Sequence, residues 1–148
     1  GLAHSSDLEN LKVETWERHD PKVIICSSIN VDFKIVASAM KSWQNRGHKF
    51  SGLTKSNCEK RPKKGEIAIY PASSGEISED ASATTIVAVY NDKLSSGQEE
   101  IAYARILVDT QYSDSKILFE HELGHALGYH HDVSKNINSI MHENIEIY

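Results

Sequence analysis

"HELGHALGYHHD" (121–132) packs four of the chain's eight histidines into eleven positions. On a helix, His121 and His125 stand about 40° apart around the axis and one turn apart along it. Two imidazoles in that relation can reach one metal ion at about 2.0–2.1 Å. Glu122 is turned about 100° from His121, so its carboxylate stands beside such an ion and not on it. From there it can accept a proton from water at the ion, which is why the H-E-x-x-H spacing carries chemistry. Taken alone the pattern is a moderate signal, since a chain this long holds it by chance roughly 2% of the time.

A third ligand cannot come from the same helix. If the helix ran on, His131 would lie about 15 Å along the axis from His121, far beyond ligand reach. The chain must turn after His125, and Gly128 is the residue that accepts φ > 0 at little cost. Leaving that turn extended, neighbouring side chains point to opposite sides. One of His130 and His131 therefore faces the ion and the other faces away.

Before the histidines, "KILFEHELGHALG" (116–128) keeps helical period, with Ser113, Asp114 or Ser115 as its N-cap. Phe119, Leu123, Ala126 and Leu127 form the stripe expected to face the core. "KVIICSSI" (22–29) is a β-branched apolar run that predicts a buried strand. Asn30 or Asp32 can then cap a helix carrying Phe33, Val36, Ala37, Met40 and Trp43, ended at Gly47. Further strands are expected at "HKFSGL" (48–53), "GEIAIY" (65–70), "TTIVAVY" (84–90) and "IAYARILVD" (101–109). "PASSGEISEDASA" (71–83) predicts a mobile surface loop, and "LKVETW" (11–16) either a strand or an arm packed on the domain.

Composition narrows the class. A chain of 148 residues predicts one domain, 1–148, with residues 1–20 as a candidate N-terminal arm. Hydrophobic content of 39% and charged content of 25% are those of an ordinary globular chain. A net charge of −5 argues against nucleic acid and anionic membranes as partners. No apolar run approaches the ~20 residues of a membrane span. "GLAHSSDLEN" (1–10) has neither the basic start nor the apolar core of a signal peptide. Cys26 and Cys58 permit one disulfide without requiring it. His4, His19, His48 and His142 are expected at the surface.

"HELGHALGYHH" (121–131) resembles the H-E-x-x-H-x-x-G-x-x-H signature of the metzincin zinc endopeptidases. Adding Gly128 and His131 to the pattern lowers the chance expectation to roughly one in ten thousand or less. "SIM" (139–141) resembles the family's Met-turn, which implies Met141 as an apolar floor beneath the metal and not a ligand. The likeness is specific over 121–141 and loose over 21–141. It implies an α+β, metzincin-like fold: a twisted mixed β-sheet, a backing helix, an active-site helix and a short C-terminal part with the Met-turn. It also selects His131 as third ligand of one catalytic Zn2+, beside His121 and His125, with Glu122 as general base and Gly128 as the structural turn. In this family a sheet edge strand lies along the cleft and pairs with the extended substrate. The strand from Thr84 to Tyr90 is the candidate here, because it precedes the strand that leads into the zinc helix.

Among branches, the compact length resembles the matrixins or small bacterial secreted relatives, while Asp132 is reminiscent of the adamalysins. Asp132 could orient a ligand ring or serve only as a loop hydrogen-bonding group. After Met141, "HENIEIY" (142–148) lacks the matrixin proline and the tyrosine of astacins and serralysins. Matrixin second-zinc and calcium loops are not recognisable. The resemblance implies a zinc-dependent endopeptidase, monomeric, secreted or extracytoplasmic, acting on protein or peptide substrates. The alternative is a catalytically silent zinc-binding module that recognises a protein partner. Glu122 argues against that alternative, because a purely structural site needs no base and closes its fourth position.

Overall fold

The computed structural model describes residue 8 and residues 10–73, 75–78, 80–132 and 139–142. The His4 expectation and the chain after His142 lie outside the described residues. Within them, β1 (Glu14–Thr15), β2 (Lys22–Cys26), α1 (Phe33–Gln44), β3 (Gly52–Ser56), β4 (Glu66–Pro71), β5 (Ala83–Val89), β6 (Glu99–Val108) and α2 (Lys116–Ala126) follow in order. A 3-10 turn, Thr110–Tyr112, joins β6 to α2. The result is an α+β fold with a mostly parallel sheet and two helices.

In β2, Val23, Ile24, Ile25 and Cys26 are all buried, as a strand covered on both faces requires. Val23 and Ile25 join the main core with both helices, while Ile24 and Cys26 form a small cluster with Ala68. β2 pairs in parallel with β3 and β4, and β4 with β6. β5 runs antiparallel to β6, and among the described residues it has no second strand partner. The 90–98 connection makes that reversal cheap: Leu94 N–H reaches Gln98 O at 3.0 Å, and Gly97 takes φ +87°. A register shift at Ala88/Val89 interrupts the ladder.

Asp32 caps α1 by accepting from Lys34 N–H at 2.8 Å, and Gly47 follows it at φ +95°. The buried stripe is Val36, Ala39, Met40 and Trp43. Two expected members fall off it: Phe33 is 47% exposed and Ala37 only half-buried. The reason is phase, since 36, 39/40 and 43 already complete one face and Ala39 supersedes Ala37. The strand expected at 48–53 begins later, at Gly52. Of "LKVETW", only Glu14–Thr15 is strand; it pairs in parallel with Glu99 and Glu100.

Cys26 and Cys58 are joined as a disulfide, with the Cα atoms 5.3 Å apart. Closing a separation of 32 residues constrains the unfolded chain. The chain-entropy treatment gives this a contribution of roughly 3–4 kcal/mol. No helix among the described residues is long and apolar enough to cross a membrane.

Candidate metal centre

Ser115 caps α2 by accepting from Leu118 N–H at 3.2 Å. Phe119, Leu123, Ala126 and Leu127 are all buried, as the stripe predicts. Gly124 sits on this inner face, where a Cβ would overlap Met141 Sδ and stand 2.6 Å from Trp43 Cζ2. Only glycine lets the tryptophan of α1 and the methionine of the 139–142 turn come this close to the ligand helix. Trp43 also donates its indole N–H to Glu120 O at 2.7 Å.

The helix ends at Leu127 in a left-handed reversal. Gly128 has φ +105°, Gly128 N–H reaches His125 O at 3.0 Å, and Tyr129 N–H reaches Gly124 O at 3.0 Å. This is the paired 5→2 and 6→1 closure of a Schellman ending. It sends His131 back over the helix. His121, His125 and His131 come together, each offering one nitrogen within 4.8 Å of the others. His130 points away, is 61% exposed, and has Nε2 3.4 Å from Glu14 Oε1.

Two ring orientations are set by main-chain carbonyls. His121 Nδ1 lies 2.9 Å from Ile140 O, and His125 Nδ1 2.9 Å from Tyr129 O. A carbonyl only accepts, so Nδ1 carries the hydrogen in both rings and Nε2 presents a bare lone pair. Yet His121 Nε2 stands 3.2 Å from His125 Nε2 and 3.1 Å from His131 Nε2. The His121–His125 pair cannot be a hydrogen bond between neutral rings. A proton would relieve the repulsion, but burial holds His121 and His125 each down at about 4, with the neighbouring histidines adding to it. A cation held between the nitrogens would relieve it. Tetrahedral bonds of about 2.0–2.1 Å set nitrogens about 3.3–3.4 Å apart, close to what these rings hold. The donor set therefore fits a metal ion.

Glu122 is 5% exposed, and burial pushes its carboxyl up to about 7 against the opposing hydrogen bond of Thr85. Thr85 Oγ1 donates to Glu122 Oε1 at 2.8 Å and lies 3.2 Å from Glu122 O. No described side-chain nitrogen or oxygen is both buried and unpartnered. Nothing in the sequence signals Thr85; a threonine in a β-branched strand reads as ordinary strand composition.

Met141 is fully buried against Gly124, and main-chain carbonyls of its turn reach the histidine segment. Ile140 O orients His121, and Met141 O accepts from Asp132 N–H at 2.7 Å, next to the third histidine. Of the histidines expected at the surface, His19 is exposed, but His48 is half-buried and His142 is buried. His48 Nε2 lies 2.6 Å from Tyr129 OH, and its pKa is lowered to about 4 by burial and by Lys12 and Arg46. His142 follows the turn that packs under α2, and its main chain bridges to Asp132. The aromatic and turn packing explains both departures.

A Gly128→Ala substitution is expected to destabilise the chain by about 2–4 kcal/mol, combining positive φ with a Cβ that overlaps Glu14 O. Urea denaturation of the metal-free protein measures it; a change under 1 kcal/mol, about the ordinary cost of a point mutation, would show that neither constraint is felt.

A scan against protein-family models gives no match to this chain, and a search of curated proteins finds none similar to it.

Proposed function

We propose that this chain is a zinc-dependent endopeptidase of the metzincin type. The observation that carries the reading is the convergence of three imidazoles, with the buried carboxyl of Glu122, next in the chain to the first of them, held at one oxygen by Thr85. His121, His125 and His131 would hold the ion. Bound there, zinc supplies a Lewis acid that makes water nucleophilic near neutral pH and stabilises a developing oxyanion. Glu122 accepts the proton given up by the attacking water and returns it to the amine released from the scissile bond. In the metal-free fold burial raises its carboxyl to about 7.

β5 supports a peptide as substrate. Among the described residues it pairs only with β6, it reaches Glu122 through Thr85, and its other side can add an extended backbone by main-chain hydrogen bonds. Met141 beneath Gly124 fits the Met-turn role, and the Cys26–Cys58 disulfide fits an oxidising, extracytoplasmic setting. The substrate is a protein or peptide, and the chain acts as a monomer.

A mixed peptide library, digested with and without a zinc chelator, tests the reading. Internal cleavage that the chelator abolishes and added zinc restores is expected. Tight zinc binding with no cleavage of any peptide would replace the endopeptidase by a silent zinc-binding module.

A further inference from the structure

The third ligand comes from a loop, and its position needs an explanation that α2 alone does not provide. Just before His131, His130 N–H donates to Leu11 O at 2.8 Å; just after it, Asp132 N–H donates to Met141 O at 2.7 Å. The first of these anchors belongs to residues 11–16, which lie across the end of the ligand helix. Val13 N–H donates to Gly128 O at 2.9 Å, and Lys12 and Tyr129 form an antiparallel bridge. Trp16 donates its indole N–H to Ala126 O at 2.8 Å. That carbonyl and Gly128 O belong to the end of α2, where groups lack partners within the helix. The fit at Gly128 is close enough that a Cβ would overlap Glu14 O. On its other side the segment is fixed to the sheet: Glu14 and Thr15 pair with Glu99 and Glu100, and Arg18 binds the buried Glu100 at 3.1 Å.

We propose that residues 11–16 form a strap that ties the loop bearing His131 to β6 and thereby sets the affinity of the metal centre. His121 and His125 are placed by a helix packed on the core, whereas His131 depends on a loop held from both sides. A ligand nitrogen must arrive within about 0.2 Å of its bonding distance, so ordering the loop before the ion arrives lowers the cost of binding. The strap is a positioning element; it touches no metal and no reacting atom. It also gives Glu14 a role, opposite His130 on the outward face of the loop. The inference rests on the metal centre and not on peptide hydrolysis.

The test is the zinc dissociation constant of the full chain, measured by competition with a chromophoric chelator. Two variants loosen the strap: Trp16→Phe keeps a ring but removes the donor to Ala126 O, and Val13→Pro removes the donor to Gly128 O. Each is expected to weaken zinc binding about 10–100-fold, the range for groups that support metal ligands. The rise in melting temperature on adding zinc should shrink with it. A purely structural strap would lower the melting temperatures of metal-free and zinc-loaded protein alike and leave the dissociation constant unchanged; that result overturns the proposal. Should both variants fail to fold, hydrogen exchange on the unaltered chain decides. Zinc must slow exchange at the Val13 and His130 amides together, and protection of His130 without Val13 also overturns it. A parent chain that binds no zinc removes the metal centre itself, a failure distinct from zinc binding that ignores the strap.

Discussion

Glu122→Ala is expected to leave zinc in place while turnover on a peptide substrate falls by about 10²–10⁴-fold, the usual worth of a general base. The ligands are untouched, because Glu122 is no member of the converging histidine set. Stability should move the other way. In the metal-free fold the carboxyl is raised from 4.5 to about 7. The unfolded chain therefore ionises first as pH rises, and the folded state carries an increasing cost between about pH 4.5 and 7 that is complete above 7. Below 4.5 both states are protonated and the cost vanishes. Metal-free Glu122→Gln should thus be more stable than the parent at pH 8, by up to about 3 kcal/mol, with the gap closing toward pH 4.5. Urea midpoints across that range measure it. A gap that is absent at pH 8, or opens toward acid, would mean that the carboxylate is not held against its own ionisation. Loss of activity with gain of stability is what separates a working base from a group kept for the fold.

The ligand assignment carries the other large effect. His121→Ala, His125→Ala and His131→Ala should each abolish tight zinc binding, whereas His130→Ala should retain it. Each of the first three removes one nitrogen of the converging set, and water substitutes poorly for an imidazole held in place by a carbonyl. The losses should exceed the 10–100-fold expected for the strap, because a bond to the ion is lost and not its support. His130 faces the opposite way and contacts Glu14 at 3.4 Å, so its removal costs only a partly exposed contact. Metal content after dialysis, measured for all four variants under one buffer, distinguishes them. Zinc kept by His131→Ala and lost by His130→Ala would place the wrong neighbour at the metal.

Those two histidines show how far local rules reach. Helical period places His121 and His125 on one face, and a glycine three residues on permits the reversal that the third ligand needs. Both depend on backbone geometry within a dozen residues, and the structure has Gly128 at φ +105° and His131 over the helix. Strands β2, β4, β5 and β6 were legible for the same reason, as short β-branched runs bounded by turn residues. Phe33 and the 48–53 strand misled because short apolar patterns do not define their own phase or end.

What only the tertiary structure decided lies between residues far apart in the chain. Thr85 meets Glu122 across 37 residues, Trp16 meets Ala126 across 110, and Cys26 finds Cys58 across 32. No periodicity links such pairs; they become neighbours only when β5 takes the sheet edge beside α2 and the first strand lies down on β6. The supports of the candidate ligand rings are less legible still, because Ile140 O and Tyr129 O are backbone atoms that every residue type carries. Local spacing in the sequence named the candidate ligands and base, while the fold chose the long-range partners that hold them still.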